Sequence, residues 1–416
     1  MTKIKNFFSR VGRAVRNFFV SDADREAGLL QSVRKPATQT ILASIACALI
    51  GIFVGFIILL CINPAHAGKG IFAILKNFLN YKRPELRLKY FGNTLVMAAP
   101  LIMCSLSVLF AYKAGLFNIG AAGQYCVAMG VALYAAHAWQ LPWIICLLLA
   151  IASGALWGAL SGALKAFFNI NEVIACIMLN WIGLYLVNNL VQDTRVMNIN
   201  LSETYHLKDH APKAILPHLG LDKLLNNEYA TIALPLTIIV AVVVWVVLNR
   251  TTFGYELKAT GFNKHAAKYA GMHDKRNIIL TMTISGALAG LAAACYYLTG
   301  IENYVKASAL PAMGFNGIAV AFLGGLHPIG VLFAGYFIEH ITVGGSTLDT
   351  NYYNPQVADL MVSIIIYLCA FVLFMRLFIK RRLAAHDEKT AKRARQAEVA
   401  EDAVSAPVND TEKEEA

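Results

Sequence analysis

The sequence predicts an all-α integral membrane protein of about ten transmembrane helices. Three observations carry that reading: 57% of the 416 residues are apolar, only 15% are charged, and the apolar residues are gathered in long charge-free runs. Soluble chains average roughly 45–50% apolar and about 25% charged, whereas mean hydropathy here is +0.55. An ordinary soluble enzyme, a disordered chain and a secreted disulfide scaffold are excluded. No run alternates apolar with polar residues, which excludes a transmembrane barrel.

A helix of about 20 residues crosses ~30 Å of hydrocarbon. Charge-free runs of that order cover 41–62, 91–112, 114–136, 141–164, 173–192, 229–249, 277–301 and 307–326. Two more, 328–348 and 356–375, are mostly apolar but carry Glu339 with His340, and Asp359. Lys and Arg favour cytoplasmic connections. With the N-terminus inside, 25 of the 36 Lys and Arg fall on the cytoplasmic side, so both termini are expected there. The connection 63–90 opposes the trend with six cations, and Ile71, Phe72, Ile74, Leu75, Phe78 and Leu79 suit one face of an interfacial helix within it.

Residues 1–36 read as a basic, aromatic amphipathic segment on the cytoplasmic surface, 37–379 as the membrane domain, and 380–416 as a charged tail whose composition predicts disorder. A signal peptide is not expected, because the first apolar core begins only at Ile41. All eight cysteines lie in or beside apolar runs with no CxxC spacing, and read as small buried hydrophobes. The charge of +11 is a matter of topology, with no nucleic-acid partner implied.

No phosphate loop, His-Glu-x-x-His or Gly-x-Ser-x-Gly motif is present. The chain therefore reads as no enzyme, with its energy drawn from a partner or an ion gradient. In the connection 249–277, Gly254, Gly261 and Gly271 are expected to break the chain into pieces, with a short helix over 263–270 capped by Asn263. The residues leave two readings open: a helix that docks into another protein and transmits force, or an ordinary cationic connection.

The stretch Thr251-Thr-Phe-Gly-Tyr-Glu-Leu-Lys-Ala-Thr-Gly-Phe-Asn, with Ala266-Ala-Lys-Tyr-Ala-Gly, resembles the coupling loop of ABC-importer permeases of the branched-chain amino acid, ribose and nucleoside superfamily. Segments 114–124, 171–181 and 314–325 are similar to its simple-sugar and nucleoside branch. The resemblance implies the permease fold, a bacterial cytoplasmic (inner) membrane location, a partner ATPase holding ATP and Mg, a second permease subunit, and a binding protein or lipoprotein. No cofactor is expected in this chain. Gly254, Tyr255, Glu256, Leu257, Lys258, Ala259, Thr260 and Gly261 would couple to the ATPase. The expected solute is a nucleoside, with a simple sugar or other ribosyl- or ribityl-like solute as the alternative. The competing class is an ion-coupled secondary transporter.

Phe117-Asn118 and Phe315-Asn316 each open a small-residue segment, in opposite membrane orientations, which is what an inverted five-plus-five repeat leaves behind. Polar groups within spans are costly in lipid and mark a translocation path. Asn118, Gln124, Glu172, Asn180, Asn316 and Glu339 are the candidates. Glu172 also reads as first-turn stabilisation of its helix, and Glu339 either pairs with His340 or marks the outer end of its helix. The outer loop 193–228 balances acids with lysines and an arginine, which suits rim contacts to a soluble protein.

Overall fold

The computed structural model describes residues 36–385, apart from 199, 370 and 373, together with 388 and 392. The expected amphipathic segment 1–36 lies outside the described residues except for Pro36, as does most of the tail. Where composition predicted disorder from 380 onward, residues 380–385 are helical. Two units divide the chain, residues 1–46 with 373–416 and residues 47–372. In the first, the described residues are helical.

The helices are α1 (Pro36–Ile62), α2 (Ala67–Lys76), α3 (Pro84–Lys113), α4 (Ala121–His137), α5 (Trp143–Phe168), α6 (Glu172–Leu190), α7 (Ala233–Arg250), α8 (Thr252–Phe262), α9 (Lys264–Tyr269), α10 (Asp274–Tyr297), α11 (Ala312–Leu323), α12 (Pro328–Gly345) and α13 (Pro355–Cys369). Among the described residues, six are long and apolar enough to cross a membrane: Thr38–Ile62 of α1, then α3, α5, α6, α7 and α10. They occupy six of the ten predicted runs. The runs 114–136 and 307–326 are not helical throughout. Residues 115–120 are unwound before α4, and the 12 residues of α11 cover only about 18 Å. Conversely, α3 starts seven residues ahead of its apolar run, because Pro84 and Glu85 favour a helix start that hydropathy does not register.

Successive helices run between two ends. At one, Asn227 Nδ2 donates to Lys89 O (3.0 Å) and Asn93 Oδ1 (2.6 Å), and the His137 and His210 rings meet at 3.2 Å between Nδ1 atoms. The segment 191–232 is therefore no loose loop. A short hairpin, β1 (Met197–Asn198) with β2 (Glu203–Thr204), bonds onward from Thr204 N to Tyr304 O, and Leu216 N to Leu298 O. Its Val196, Met197, Leu207 and Leu216 are buried in the core. The Arg195 guanidinium bonded to Asp193 holds that carboxyl well below the usual carboxylate range. At the other end lie α8 and α9. In the 63–90 connection, α2 is followed by a 3₁₀ turn (Asn77–Asn80). The apolar face expected there is split, with Ile74 buried while Phe72, Leu75 and Leu79 are exposed.

Two helices whose backbones approach closely hold the centre. Gly154, Gly158 and Gly162 of α5 face Met282, Gly286 and Gly290 of α10 so closely that a Cβ on Gly158 would lie 2.2 Å from Met282 O, and one on Gly286 would lie 2.1 Å from Gly154 O. Small residues four apart permit this approach, and lipid supplies no hydrophobic drive to replace it. Among the described cysteines all are free, and Cys61 is exposed where a buried position was expected. Replacing Gly158 by Leu is expected to lower stability by about 1–3 kcal/mol or more, whereas Gly68→Ala, whose Cβ would meet nothing within 4 Å, should leave it unchanged. Thermal unfolding of the purified variants measures both.

Candidate functional site

The unwound stretch between α3 and α4 starts a helix inside the bundle. Lys113 ends α3, Gly115 takes φ +73°, and α4 begins only at Ala121. A helix that starts there leaves backbone N–H groups without intrahelical partners. Asn180 of α6 supplies one partner, its Oδ1 accepting from Gly123 N (2.9 Å), while its Nδ2 donates to the unwound carbonyl of Ile119 (3.1 Å). One amide side chain from a neighbouring helix thus caps α4, where a local Ser or Asp would ordinarily serve.

Asn118 and Gln124 complete the arrangement. Asn118 Nδ2 donates to Gln124 Oε1 (2.8 Å), and Gln124 Nε2 donates back to Asn118 Oδ1 (3.1 Å). The same Nδ2 reaches Ser285 Oγ of α10 (2.6 Å), and Ser285 Oγ donates to Ser107 O of α3 (2.7 Å). All four side chains are buried. Three of the six residues expected along a path, Asn118, Gln124 and Asn180, are therefore fully engaged in joining α3, α4, α6 and α10. Ser107 and Ser285 belong to the same network and were missed; a hydroxyl inside an apolar run was the available signal.

The other three stand apart. Glu172 pairs with Lys165 Nζ at 2.9 Å across the α5–α6 turn, where Asn171 Oδ1 caps α6 by accepting from Val173 N. Asn316 of α11 is half-buried. Next to it, Gly317 packs on Cys104, and Gly314 lies so near Ala122 that a Cβ would come within 2.5 Å. The N-terminal turns of α4 and α11 therefore meet inside the bundle. Glu339 is buried in α12 and does not pair with His340. That ring turns instead to Leu75 O (3.0 Å), and the His340 carbonyl accepts from Asn77 Nδ2 (2.9 Å).

At the opposite end the structure differs from the expected breaks. Gly254 and Gly261 lie inside one helix, α8, which holds all of Gly254, Tyr255, Glu256, Leu257, Lys258, Ala259, Thr260 and Gly261. Thr251 Oγ1 caps it by accepting from Gly254 N (3.1 Å). These glycines permit contact between backbones: a Cβ on Gly254 would lie 2.1 Å from Val247 O, and one on Gly261 would lie 2.5 Å from Ala114 C. Only Gly271, with φ +82°, stops a helix. Asn263 caps α9, as the sequence indicated, by accepting from His265 N and Ala266 N.

The inner face of α8 is tied down. Leu257 is buried, Thr260 Oγ1 accepts from Asn277 Nδ2 (3.2 Å), and Glu256 pairs with Arg276 (3.3 Å). The outer face is open. Tyr255 is 66% exposed, and Phe262 and Tyr269 are each 94% exposed. Three aromatic rings carried to solvent on a capped helix pair form a ready contact surface for another protein. Through Gly261 against Ala114 and Gly115, α8 rests directly on the segment that leads to Asn118.

The sequence profile described as branched-chain amino acid transport system / permease component matches residues 90–370. The guanosine ABC transporter permease protein NupP of Bacillus subtilis (strain 168) is 36% identical over 286 residues, covering 68% of this chain and 81% of that protein. The nucleoside ABC transporter permease protein NupB of Lactococcus lactis subsp. cremoris is 32% identical, over 73% of this chain and 85% of its own length. The glucose ABC transporter permease protein TsgB13 of Haloferax volcanii is 31% identical, over 70% and 78%. No solved structure matches.

Asn180→Leu keeps the side-chain bulk but leaves Gly123 N and Ile119 O without partners, at about 1–3 kcal/mol for each unsatisfied buried group. The expected result is a lower unfolding midpoint together with faster amide exchange over residues 119–124. Equal exchange in the variant and the wild type would show that the cap is dispensable.

Proposed function

The chain belongs to the branched-chain amino acid transport system permease family, and from that premise we propose that it is the membrane subunit of an ATP-driven importer whose solute is a nucleoside. The observation that carries the solute class is similarity, at 36% and 32% identity over most of the chain, to permeases named for guanosine and for nucleosides. As a permease component it is a transport subunit and no enzyme. A multi-pass membrane location is supported by its apolar helices.

In this reading the chain crosses the bilayer ten times, with α4 and α11 as two broken crossings. Their meeting at Gly314 and Ala122 supports an inverted relation between the halves, since discontinuous helices in corresponding positions are how such repeats build a solute site. Both termini and the α8–α9 pair face the cytoplasm of a bacterium, in keeping with the excess of Lys and Arg on that side. The exposed Tyr255, Phe262 and Tyr269 meet a partner ATPase, which holds the ATP and Mg. A second permease subunit completes the path, and a solute-binding protein or lipoprotein docks over the 191–232 segment.

Binding of ATP in the partner moves α8, and the contact of Gly261 with Gly115 passes that motion to the unwound segment before α4. Asn316 and Glu339 stay free to meet solute, while Asn118, Gln124, Glu172 and Asn180 hold the walls. Because a binding protein delivers the solute, the permease binds it weakly. An isolated acid at position 339 provides no ladder of ionisable groups, which argues against ion coupling.

Uptake of labelled guanosine by vesicles carrying the complex should persist when ion gradients are collapsed and stop when ATP is depleted; the reverse pattern would identify an ion-coupled carrier. Competition by a panel of nucleosides and by glucose separates the nucleoside reading from that of a sugar permease. Glu256→Lys, which reverses the charge facing Arg276, and Gly254→Arg, which has no room against Val247, are expected to cut uptake by tenfold or more on the order of a lost coupling of 1–3 kcal/mol. ATPase activity and membrane insertion should remain. Unchanged uptake in both would refute the coupling role of α8.

A further inference from the structure

The connection 63–90 carries six cations, Lys69, Lys76, Lys82, Arg83, Arg87 and Lys89, against a single acid, Glu85. Arg87 donates to Tyr81 O, but Lys69, Lys76, Lys82 and Arg83 enter no ion pair among the described residues. Lys69 and Lys76 are seven apart in α2, two turns of one helical face. Between them lies an open surface depression of about 520 Å³, lined by Ala65, Gly68, Lys69, Phe72, Ala73, Lys76 and Asn80. Gly68 leaves it unobstructed, since a Cβ there would meet nothing within 4 Å.

The opposite face of α2 fixes its position. Gly70 packs on Leu59, Leu348 and Tyr353, and Gly344 of α12 approaches Ile74 O so closely that a Cβ would lie 2.3 Å away. The helix is therefore held against the bundle between the end of α1 at Ile62 and the start of α3 at Pro84, in the connection between the apolar runs 41–62 and 91–112. Its free face sets Phe72, 62% exposed, with Leu75, and with Leu79 of the 3₁₀ turn that follows, beside the two lysines.

We propose that this face of α2 binds the headgroup of an anionic phospholipid, with Lys69 and Lys76 contacting the phosphate and Phe72, Leu75 and Leu79 lying among the acyl chains. The mixture of side chains selects lipid as the occupant. Lysines whose stems run along apolar surface while their ammonium groups reach the interface suit the boundary of a bilayer. A soluble protein docking there would have to strip lipid from three apolar side chains at that depth. The site follows from α2 and the turn after it, and holds whichever solute the chain carries.

Each lysine near an anionic surface contributes roughly fivefold to association, so removing both should weaken binding about thirtyfold. The full-length chain is titrated in detergent with palmitoyl-oleoyl phosphatidylglycerol or the corresponding phosphatidylcholine, and bound lipid is counted by native mass spectrometry. The wild type is expected to prefer phosphatidylglycerol. Lys69→Gln with Lys76→Gln should lose that preference while keeping its unfolding midpoint in phosphatidylcholine. Gly68→Trp, which fills the depression with both lysines present, should lose it too, and decides the matter if the double variant does not fold. Phosphatidylglycerol binding within twofold of wild type in the folded variants overturns the proposal. So does undiminished lipid binding accompanied by loss of capture of the cognate solute-binding protein, which would give this face a protein partner instead.

Discussion

A peptide group surrounded by hydrocarbon must find a partner within the protein, because no water is there to accept or donate. The chain meets that demand at residues 114–120, where it stops being helical inside an otherwise apolar run. Asn180 satisfies the exposed start of α4 from a different helix, bonding Gly123 N and Ile119 O. Asn118 and Gln124 satisfy each other, and Ser285 and Ser107 tie that pair to α10 and α3. Irregular backbone at membrane depth is stable only when it is buried in protein or lines a cavity, and here the surrounding amides and hydroxyls supply the burial.

That network depends in turn on how closely α5 approaches α10. Gly154, Gly158 and Gly286 bring the two backbones together, which fixes α10 in register. From that position α10 presents Ser285 to Asn118 in its middle and Asn277 to Thr260 near its start. One rigid helix thus touches both the interior network and α8. The second route is shorter, through Gly261 against Ala114 and Gly115. Under the proposed transport cycle the two routes tie the ATPase-facing helix to the interior at two points, so a tilt of α8 acts on both a span and an unwound joint.

Polar residues within membrane spans divide here into two kinds. Those already satisfied by protein, Asn118, Gln124 and Asn180, hold shape. Those that make no side-chain hydrogen bond or ion pair among the described residues, half-buried Asn316 and buried Glu339, carry the proposed contact with solute. A carrier that receives its solute from a binding protein gains nothing from tight binding, and a few open polar groups beside a rigid wall match that need. The lysines of α2 lie outside this division, since under the proposed lipid site they concern where the protein sits.

Much was legible from residue order alone. Six of the predicted runs are helices long enough to cross, and Asn263 caps the helix it precedes. These features are local: hydropathy adds up along a segment, and a cap needs only its next few residues. The unwound joint at 115–120 was hidden inside a charge-free run, and Gly254 and Gly261 read as breakers when they are points of backbone contact. Asn180 and Gly123 are 57 residues apart, and Ser107 and Ser285 are 178 apart. The sequence by itself therefore determined the membrane class, six of the spans and the family motifs. Only the tertiary structure decided which polar groups are spent on each other and which stay open, because a hydrogen bond depends on the distance between side chains that the chain brings together only when it folds.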